Sequence, residues 1–349
     1  MAGDAPVIAA MSSVHDAEED ASTILIVNSR FPDLQEEAAV LAGCRLVPVQ
    51  CEDDAGLAGA AQRVDGILVG AKPWISGRAM RAMPDLAVVC RYGIGVDNVD
   101  IDAATELGIA VCNVPDYAVD EVATHALTLG LALLRRVAVA AERTRTGAWS
   151  VSDLGSIEDV RATVLGIVGF GAIGRRLGEK ALGVGLQVKV HDPFVDEAAI
   201  ERSGCEPASF GDLLATADLV SLHMPLTPET RGMMGADALA QMKPTAYVVN
   251  TARGGLVDET ALTNALEAGR LGGAALDVLT TEPPGSGHPL LGRSDVIVTP
   301  HMAWYSEQAL GRVRRGAAEQ VRAVLAGEVP THLVNRFAPR PSTGRTIRG

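Results

Sequence analysis

Val164-Leu165-Gly166-Ile167-Val168-Gly169-Phe170-Gly171-Ala172-Ile173-Gly174 is an apolar run that leads into three glycines spaced G-x-G-x-x-G. A short run rich in β-branched residues reads as a buried strand, and Ile173 to Ala181 reads as the helix after it. Gly169 permits the tight turn, Gly171 lets a backbone approach a pyrophosphate, and Gly174 lets the helix pack close. In a chain with 37 glycines the pattern alone is weak, and its place between a strand and a helix gives it weight. The N–H groups of Ala172 and Ile173 at the helix start would face the phosphates. Asp192 follows the next strand-like run, Gln187–Val190, where an acid meets an adenosine ribose 2′-hydroxyl. A carboxylate there repels a 2′-phosphate, and Pro193 and Phe194 offer no cation to hold one. Lys189 and His191 are nearby but read as strand residues. The expected cofactor is therefore NAD rather than NADP.

Working outward from this turn, short apolar runs alternate with Ala- and Leu-rich helical stretches. The earlier runs are Thr23–Asn28, Arg45–Val49, Gly66–Gly70, Leu86–Cys90 and Ile109–Asn113. The later ones are Thr163–Gly169, Gln187–Val190, Leu219–His223, Tyr247–Asn250, Ala274–Val278 and Val296–Thr299. This rhythm implies an α/β fold with two Rossmann-like, doubly wound parallel sheets. A flavodoxin-like substrate domain is expected over residues 22–119 and 306–337, and a nucleotide-binding Rossmann domain over 120–305, with the cleft between them. One long helical pattern, Val119 to Arg145, links the two. A helix from Glu307 to Ala326 returns to the first. Asp258-Glu259-Thr260 ahead of Ala261–Leu266 is a helix start with acidic residues at its positive end. Residues 1–21 and 338–349 read as mobile tails.

At 349 residues the chain is too long for one compact core. Its net charge of -13 argues against sequence-independent nucleic-acid binding, which needs clustered Lys and Arg. No apolar stretch reaches the roughly 20 residues of a membrane span. The five cysteines (Cys44, Cys51, Cys90, Cys112 and Cys205) form no CxxC pair, so reduced thiols, no metal site and a cytoplasmic location are expected. No basic segment followed by an apolar one opens the chain.

Three further stretches carry chemistry: Asn250-Thr251-Ala252-Arg253-Gly254, then Asp277 to Pro283, then Pro300-His301. Each closes or follows a strand-like run. An Arg can hold a carboxylate through two parallel hydrogen bonds. A His can move a proton near neutral pH, and a Glu can orient that His. A nicotinamide can supply hydride. Together these are what reduction of a 2-keto acid requires. Each residue also has a plainer reading. Arg253 and Glu282 could be loop charges, and any one of seven histidines is more often structural than catalytic. The strand end and Pro300 single out His301, and Gly254-Gly255 reads as backbone crowding against a ligand. Trp304, three residues past His301, could wall a substrate side chain, pack in the core or sit at a dimer contact.

In order and spacing these motifs resemble the D-isomer-specific 2-hydroxyacid dehydrogenase family, from about Thr23 to Val334. Arg91-Tyr92-Gly93-Ile94-Gly95-Val96-Asp97-Asn98, Val111-Cys112-Asn113-Val114-Pro115 and Ala303-Trp304-Tyr305-Ser306-Glu307-Gln308 are most similar to its C-terminal-binding-protein-like group. The resemblance implies that Arg253 binds the substrate carboxylate and that His301 protonates the keto oxygen. Glu282 would fix the tautomer of His301 and stabilise its protonated form. Ile94 and Gly95 would offer backbone N–H groups to the substrate, beside Arg91. Asp277 would bind the nicotinamide amide, and His223, Pro225, Thr230, Thr251 and Ala252 would line the cofactor. A homodimer built on the cofactor domains, a small 2-keto or 2-hydroxy acid substrate, and no nucleic-acid or membrane partner are also implied. Thr124 stands where many relatives carry an acid. The alternatives are an NAD-sensing, corepressor-like binding protein with weak activity, or a dehydrogenase for phosphoglycerate, hydroxypyruvate, glyoxylate, formate or phosphite. A chain ending at Gly349 is expected to lack the regulatory domain of long allosteric phosphoglycerate dehydrogenases.

Overall fold

The computed structural model describes residues 21–336, apart from residues 30, 54, 55, 58, 60–62 and 153. Apart from Ala21, the expected tails lie outside the described residues. The chain divides into two compact units, one running up to Tyr117 and resuming at Leu310, the other spanning Ala118–Ala309. The divisions thus fall at 117/118 and 309/310, against the expected 119/120 and 305/306.

The first unit holds strands β1 (Thr23–Val27), β2 (Arg45–Val49), β3 (Gly66–Val69), β4 (Val88–Arg91) and β5 (Ala110–Cys112). They form one parallel sheet in the order β2-β1-β3-β4-β5. Every residue of β1 and β3 is buried, as expected for strands covered on both faces. Pro48 lies in β2, an edge strand, where a missing N–H is tolerated. The helix Glu307–Leu325 adds Arg314 to this unit. Its Nε and Nη2 donate to the two carboxylate oxygens of fully buried Glu37, at 3.0 and 2.7 Å. Tyr92 Oη donates to the same carboxylate at 3.0 Å. The buried ion pair is thus fully hydrogen-bonded, the condition under which burying two charges is tolerated.

The second unit holds β6 (Val164–Val168), β7 (Gln187–His191), β8 (Glu206–Pro207), β9 (Leu219–Leu222), β10 (Tyr247–Asn250), β11 (Gly273–Leu276) and β12 (Val296–Val298). All are parallel, in the order β12-β11-β10-β9-β6-β7-β8. The sheet has seven strands where the sequence shows six apolar runs. The extra strand, β8, is a Glu-Pro pair with no apolar signal of its own. The strand order reverses between β6 and β9, and ligands of such sheets sit beyond the strand ends at that switch point.

The long helical pattern also needs correction. It forms two helices, Val119–Leu134 and Val137–Arg145, bent by 61° where Arg136 takes a left-handed φ of 50°. The first packs Ala126, Leu129 and Leu133 against Leu165, Ile167 and Val249 of the sheet. The other face of the sheet buries Leu213, Leu239, Leu262 and Leu266. Among the described residues no single helix is long and apolar enough to cross a membrane.

Candidate active site

The glycine turn follows β6 at the switch point. Gly169 has a φ of 94°, and a Cβ there would lie 2.7 Å from the carbonyl oxygen of His223. A Cβ on Gly174 would overlap the carbonyl oxygen of Gly169. Both positions therefore need glycine to close the protein's own backbone. Gly171 differs, because a Cβ there would meet nothing within 4 Å. Its open face is where a phosphate can approach. Gly171 is also the N-cap of the helix Ala172–Gly183 and provides no side-chain cap, so the first-turn N–H groups at Ala172 and Ile173 suit an anion. The carboxylate of Asp192 accepts from Phe170 N at 2.7 Å and from Phe194 N at 2.9 Å. It therefore braces the turn, and a carboxylate with about four lone-pair sites retains capacity for a hydroxyl.

His223 follows β9, with Nε2 2.8 Å from Ser221 Oγ. Burial lowers its pKa to about 4, so it is neutral at physiological pH. Thr251 follows β10, and its Oγ1 is buried with no hydrogen-bond partner among the described residues. An unsatisfied hydroxyl at the same end of the parallel sheet as the glycine turn, two strands away, fits a polar ligand such as a dinucleotide. Thr230 Oγ1, in contrast, donates to Pro225 O at 2.8 Å and accepts from Thr227 N at 2.8 Å. Thr230 and Pro225 therefore brace their own loop. Ala252 N donates to Asn250 Oδ1 at 3.0 Å.

The Arg253 loop starts from that asparagine. Buried Asn250 also donates from Nδ2 to Arg253 O at 2.8 Å, a clamp that sequence reasoning left without a role. The two glycines after Arg253 crowd the protein rather than a ligand, which corrects the expectation. A Cβ on Gly254 would overlap the backbone of Leu279 and Thr280, and one on Gly255 would lie 2.9 Å from a methyl of Leu226. This close approach sets the Arg253 loop directly against the loop that carries Glu282.

The Glu282 loop is fastened at its start. Glu259, in the first turn of the helix Glu259–Glu267, accepts from Thr280 N at 2.6 Å and lies 3.0 Å from His288 Nε2. Glu282 Oε1 accepts from Leu279 N at 3.0 Å, and Oε2 lies 2.7 Å from His301 Nδ1. Burial opposes ionisation of Glu282. The hydrogen bond and charge of His301, the Leu279 N–H and the Arg253 charge outweigh it and hold the carboxyl below its usual range. His301 has a left-handed φ of 52°, a conformation that costs a non-glycine residue about 1–2 kcal/mol. Its Nδ1 is engaged by Glu282, which leaves Nε2 for other chemistry.

Asp277 sits beneath His301. Its carboxylate is buried and accepts from Thr299 Oγ1 at 2.5 Å, Met302 N at 2.9 Å and Ala303 N at 2.8 Å. Its carbonyl accepts from His301 N at 2.8 Å. In the structure the carboxylate assigned by resemblance to the nicotinamide amide is thus wrapped by the His301 turn. Trp304 donates from Nε1 to His301 O at 3.0 Å, and its ring meets Tyr305 edge-on with centroids 5.6 Å apart. His125 reaches the same turn from the helix Val119–Leu134, with Nε2 3.1 Å from Thr299 Oγ1. Nothing in local sequence pattern marks that contact. Its neighbour Thr124 is exposed and donates to Asp120 O of its own helix at 2.7 Å.

In the first unit, Arg91 ends β4, and a Cβ on Gly93, which has a φ of 137°, would overlap the Arg91 guanidinium. Ile94 O accepts from Asn113 Nδ2 at 2.7 Å and Gly93 O from Val114 N at 2.9 Å. The loop through Ile94 and Gly95 is thus held by the segment after β5.

A parallel sheet with a glycine turn at its switch point, a bracing acid just after the next strand and an open phosphate face define a dinucleotide-binding Rossmann domain. Residues 127–303 match the family described as "D-isomer specific 2-hydroxyacid dehydrogenase, NAD binding domain", and the chain belongs to that family. It is 41% identical over 283 residues to a D-3-phosphoglycerate dehydrogenase of Mycobacterium leprae, covering 81% of this chain and 53% of that one. The chain spans about half the length of the phosphoglycerate dehydrogenases it matches. It is 39% identical to a glyoxylate reductase of Korarchaeum cryptofilum, over 75% of this chain and 80% of that one. A D-lactate dehydrogenase of Aquifex aeolicus, solved with NAD and lactic acid, superposes with a TM-score of 0.78 at 27% identity, covering 87% of this chain and 96% of that one.

Proposed function

We propose that the protein is an NAD-dependent 2-hydroxyacid dehydrogenase that interconverts a small 2-keto acid and its 2-hydroxy acid. One observation carries this reading. His301 Nδ1 rests on Glu282, with Arg253 on the adjoining loop, in the same unit as the nucleotide turn. When bound, the nicotinamide supplies or takes the hydride at the substrate C2. His301 gives a proton from Nε2 to the keto oxygen in reduction and takes it back in oxidation. Glu282 holds Nδ1 protonated and balances the charge of the ring. Arg253 pairs with the substrate carboxylate and polarises the keto group. Asp192 takes the ribose 2′-hydroxyl, the first-turn N–H groups at Ala172 and Ile173 take the pyrophosphate, and Thr251 Oγ1 gains a partner. The apolar face of Trp304 walls the substrate side chain.

The test is a panel of glyoxylate, pyruvate, hydroxypyruvate, its 3-phosphate and 4-methylthio-2-oxobutyrate, each with NADH and NADPH, followed by cofactor absorbance. NADH should exceed NADPH by at least about tenfold in kcat/KM, roughly 1.4 kcal/mol. Apolar and thioether side chains should be favoured over glyoxylate, at about 0.8 kcal/mol per buried methylene. No turnover with any acid overturns the function. Equal use of both cofactors overturns the role of Asp192, and a flat ranking overturns that of Trp304.

We also propose a homodimer in the cytoplasm. Five free cysteines suit a reducing compartment. Trp149 is 89% exposed and Val151 82%, with Val137 also exposed in the same stretch of chain. Large apolar side chains left in water suit an interface with a second copy. Sedimentation at micromolar concentration should give twice the chain mass, and a monomer would refute the assembly.

A further inference from the structure

We propose that His125 is a positioning residue for His301, acting through Thr299 and Asp277. This rests on His301 being the proton donor of the proposed reaction.

The direction of the hydrogen bonds fixes the chain of contacts. Thr299 Oγ1 lies 2.5 Å from Asp277 Oδ1 and 3.1 Å from His125 Nε2. A threonine hydroxyl has one hydrogen to give. At 2.5 Å, in the range of O–H···O⁻ bonds, that hydrogen must lie between Thr299 and the carboxylate, since two bare oxygens would repel. His125 Nε2 must then be the donor and Thr299 Oγ1 the acceptor. The sequence His125 Nε2–H, Thr299 Oγ1–H, Asp277 carboxylate is therefore polarised in one direction, and each bond strengthens the next. His125 Nε2 also lies 3.6 Å from Asp277 Oδ1, close to the buried carboxylate that the chain ends on.

Asp277 is the part of this chain that governs His301. Its carboxylate and carbonyl receive donors from residues 299, 301, 302 and 303, that is, from His301 itself and from both sides of it along the chain. His301 keeps a left-handed backbone because these bonds hold it there. Whatever fixes the Asp277 carboxylate thus fixes where the His301 ring starts. The helix Val119–Leu134 does this from outside the turn at two points one helical turn apart. His125 fastens Thr299, and Glu121 Oε1 accepts from Ser306 Oγ at 2.8 Å. Both residues lie on the same helix face, at i and i+4. The facing groups from the packed turn are Thr299, Asp277 and Ser306, and from the helix itself Glu121.

The experiment compares His125→Leu, His125→Gln and Thr299→Val in the full chain. Gln presents an N–H at nearly the reach of Nε2, whereas Leu presents none. His125→Leu should lower kcat for keto-acid reduction about tenfold, within the range that small misplacement produces, with Kd for NADH within about twofold. His125→Gln should recover most of that loss. His125→Leu with Thr299→Val should be no worse than Thr299→Val alone, since both break one chain. The ring signals of His301, read by ¹⁵N-edited NMR without substrate, should move in the Leu variant and return in the Gln variant. Unmoved ring signals with wild-type kcat overturn the proposal. Loss of NADH binding that Gln does not restore overturns it too, because it marks a general structural role. If the ring signals respond but the wild type reduces no keto acid, the positioning stands and the reading of the reaction fails.

Discussion

Replacing His301 with alanine should lower kcat for keto-acid reduction by about 10²- to 10⁴-fold, the range for loss of a general acid, and should leave NADH binding intact. The two effects separate because the groups do. The nucleotide turn is braced by Asp192 and closed by Gly169 and Gly174, and His301 supports none of these. What the variant loses is an imidazole whose Nδ1 is fixed on Glu282 at 2.7 Å. The pair also sets a sign for pH. Folding lowers the pKa of Glu282 from its ordinary value of 4.5. The stability contributed by its ionised form is therefore complete above that value and lost as pH falls below it. Glu282→Gln removes that ionisable group, so the part of the acid loss of stability that Glu282 contributes should be absent from the variant's Tm profile. Wild-type kcat in His301→Ala, or an unchanged acid dependence of Tm in Glu282→Gln, would contradict the assigned pair.

How far such a site is legible in sequence depends on the range of the contact. Arg253, Glu282 and His301 could be found because each follows a strand-like run, so the parallel sheet delivers them to one edge. Asp192 was legible for the same reason. The seventh strand was not, because Glu206-Pro207 pairs only through backbone geometry. The break at Arg136 was hidden because apolar spacing continues on both sides of it. The contact of His125 with Thr299 joins residues 174 apart, and no local period encodes it. Asp277 reads as one more strand-end acid. Only the folded turn shows that its carboxylate is enclosed by residues 299–303. The Gly254-Gly255 pair was noticed and assigned to the wrong neighbour, since sequence shows that a backbone is crowded but not by what.

That reassignment makes Gly254→Ala the most informative single methyl in the molecule. A Cβ at this position would overlap the carbonyl of Leu279 and the nitrogen of Thr280. Both are backbone, so no rotamer change relieves the overlap and the two loops must part. The Leu279–Glu282 loop cannot retreat freely, because Glu259 holds Thr280 N at 2.6 Å. The displacement therefore falls on Arg253, proposed to hold the substrate carboxylate, and on Glu282, which holds the His301 ring. A shift near 1 Å at such groups costs about 10²-fold in rate, and kcat/KM should fall by that order. Overpacking should also lower stability by roughly 1–3 kcal/mol, read as a drop in Tm. Gly171→Ala is the matching control. Its Cβ meets nothing within 4 Å, and its φ of -71° suits any residue, so the fold and Tm should be unchanged. NADH should nevertheless bind more weakly, because the methyl enters the face left open for a pyrophosphate. One variant loses rate with its cofactor bound, and the other loses cofactor with its fold intact. Wild-type kcat/KM in Gly254→Ala would mean that close backbone approach is not what keeps Arg253 beside Glu282.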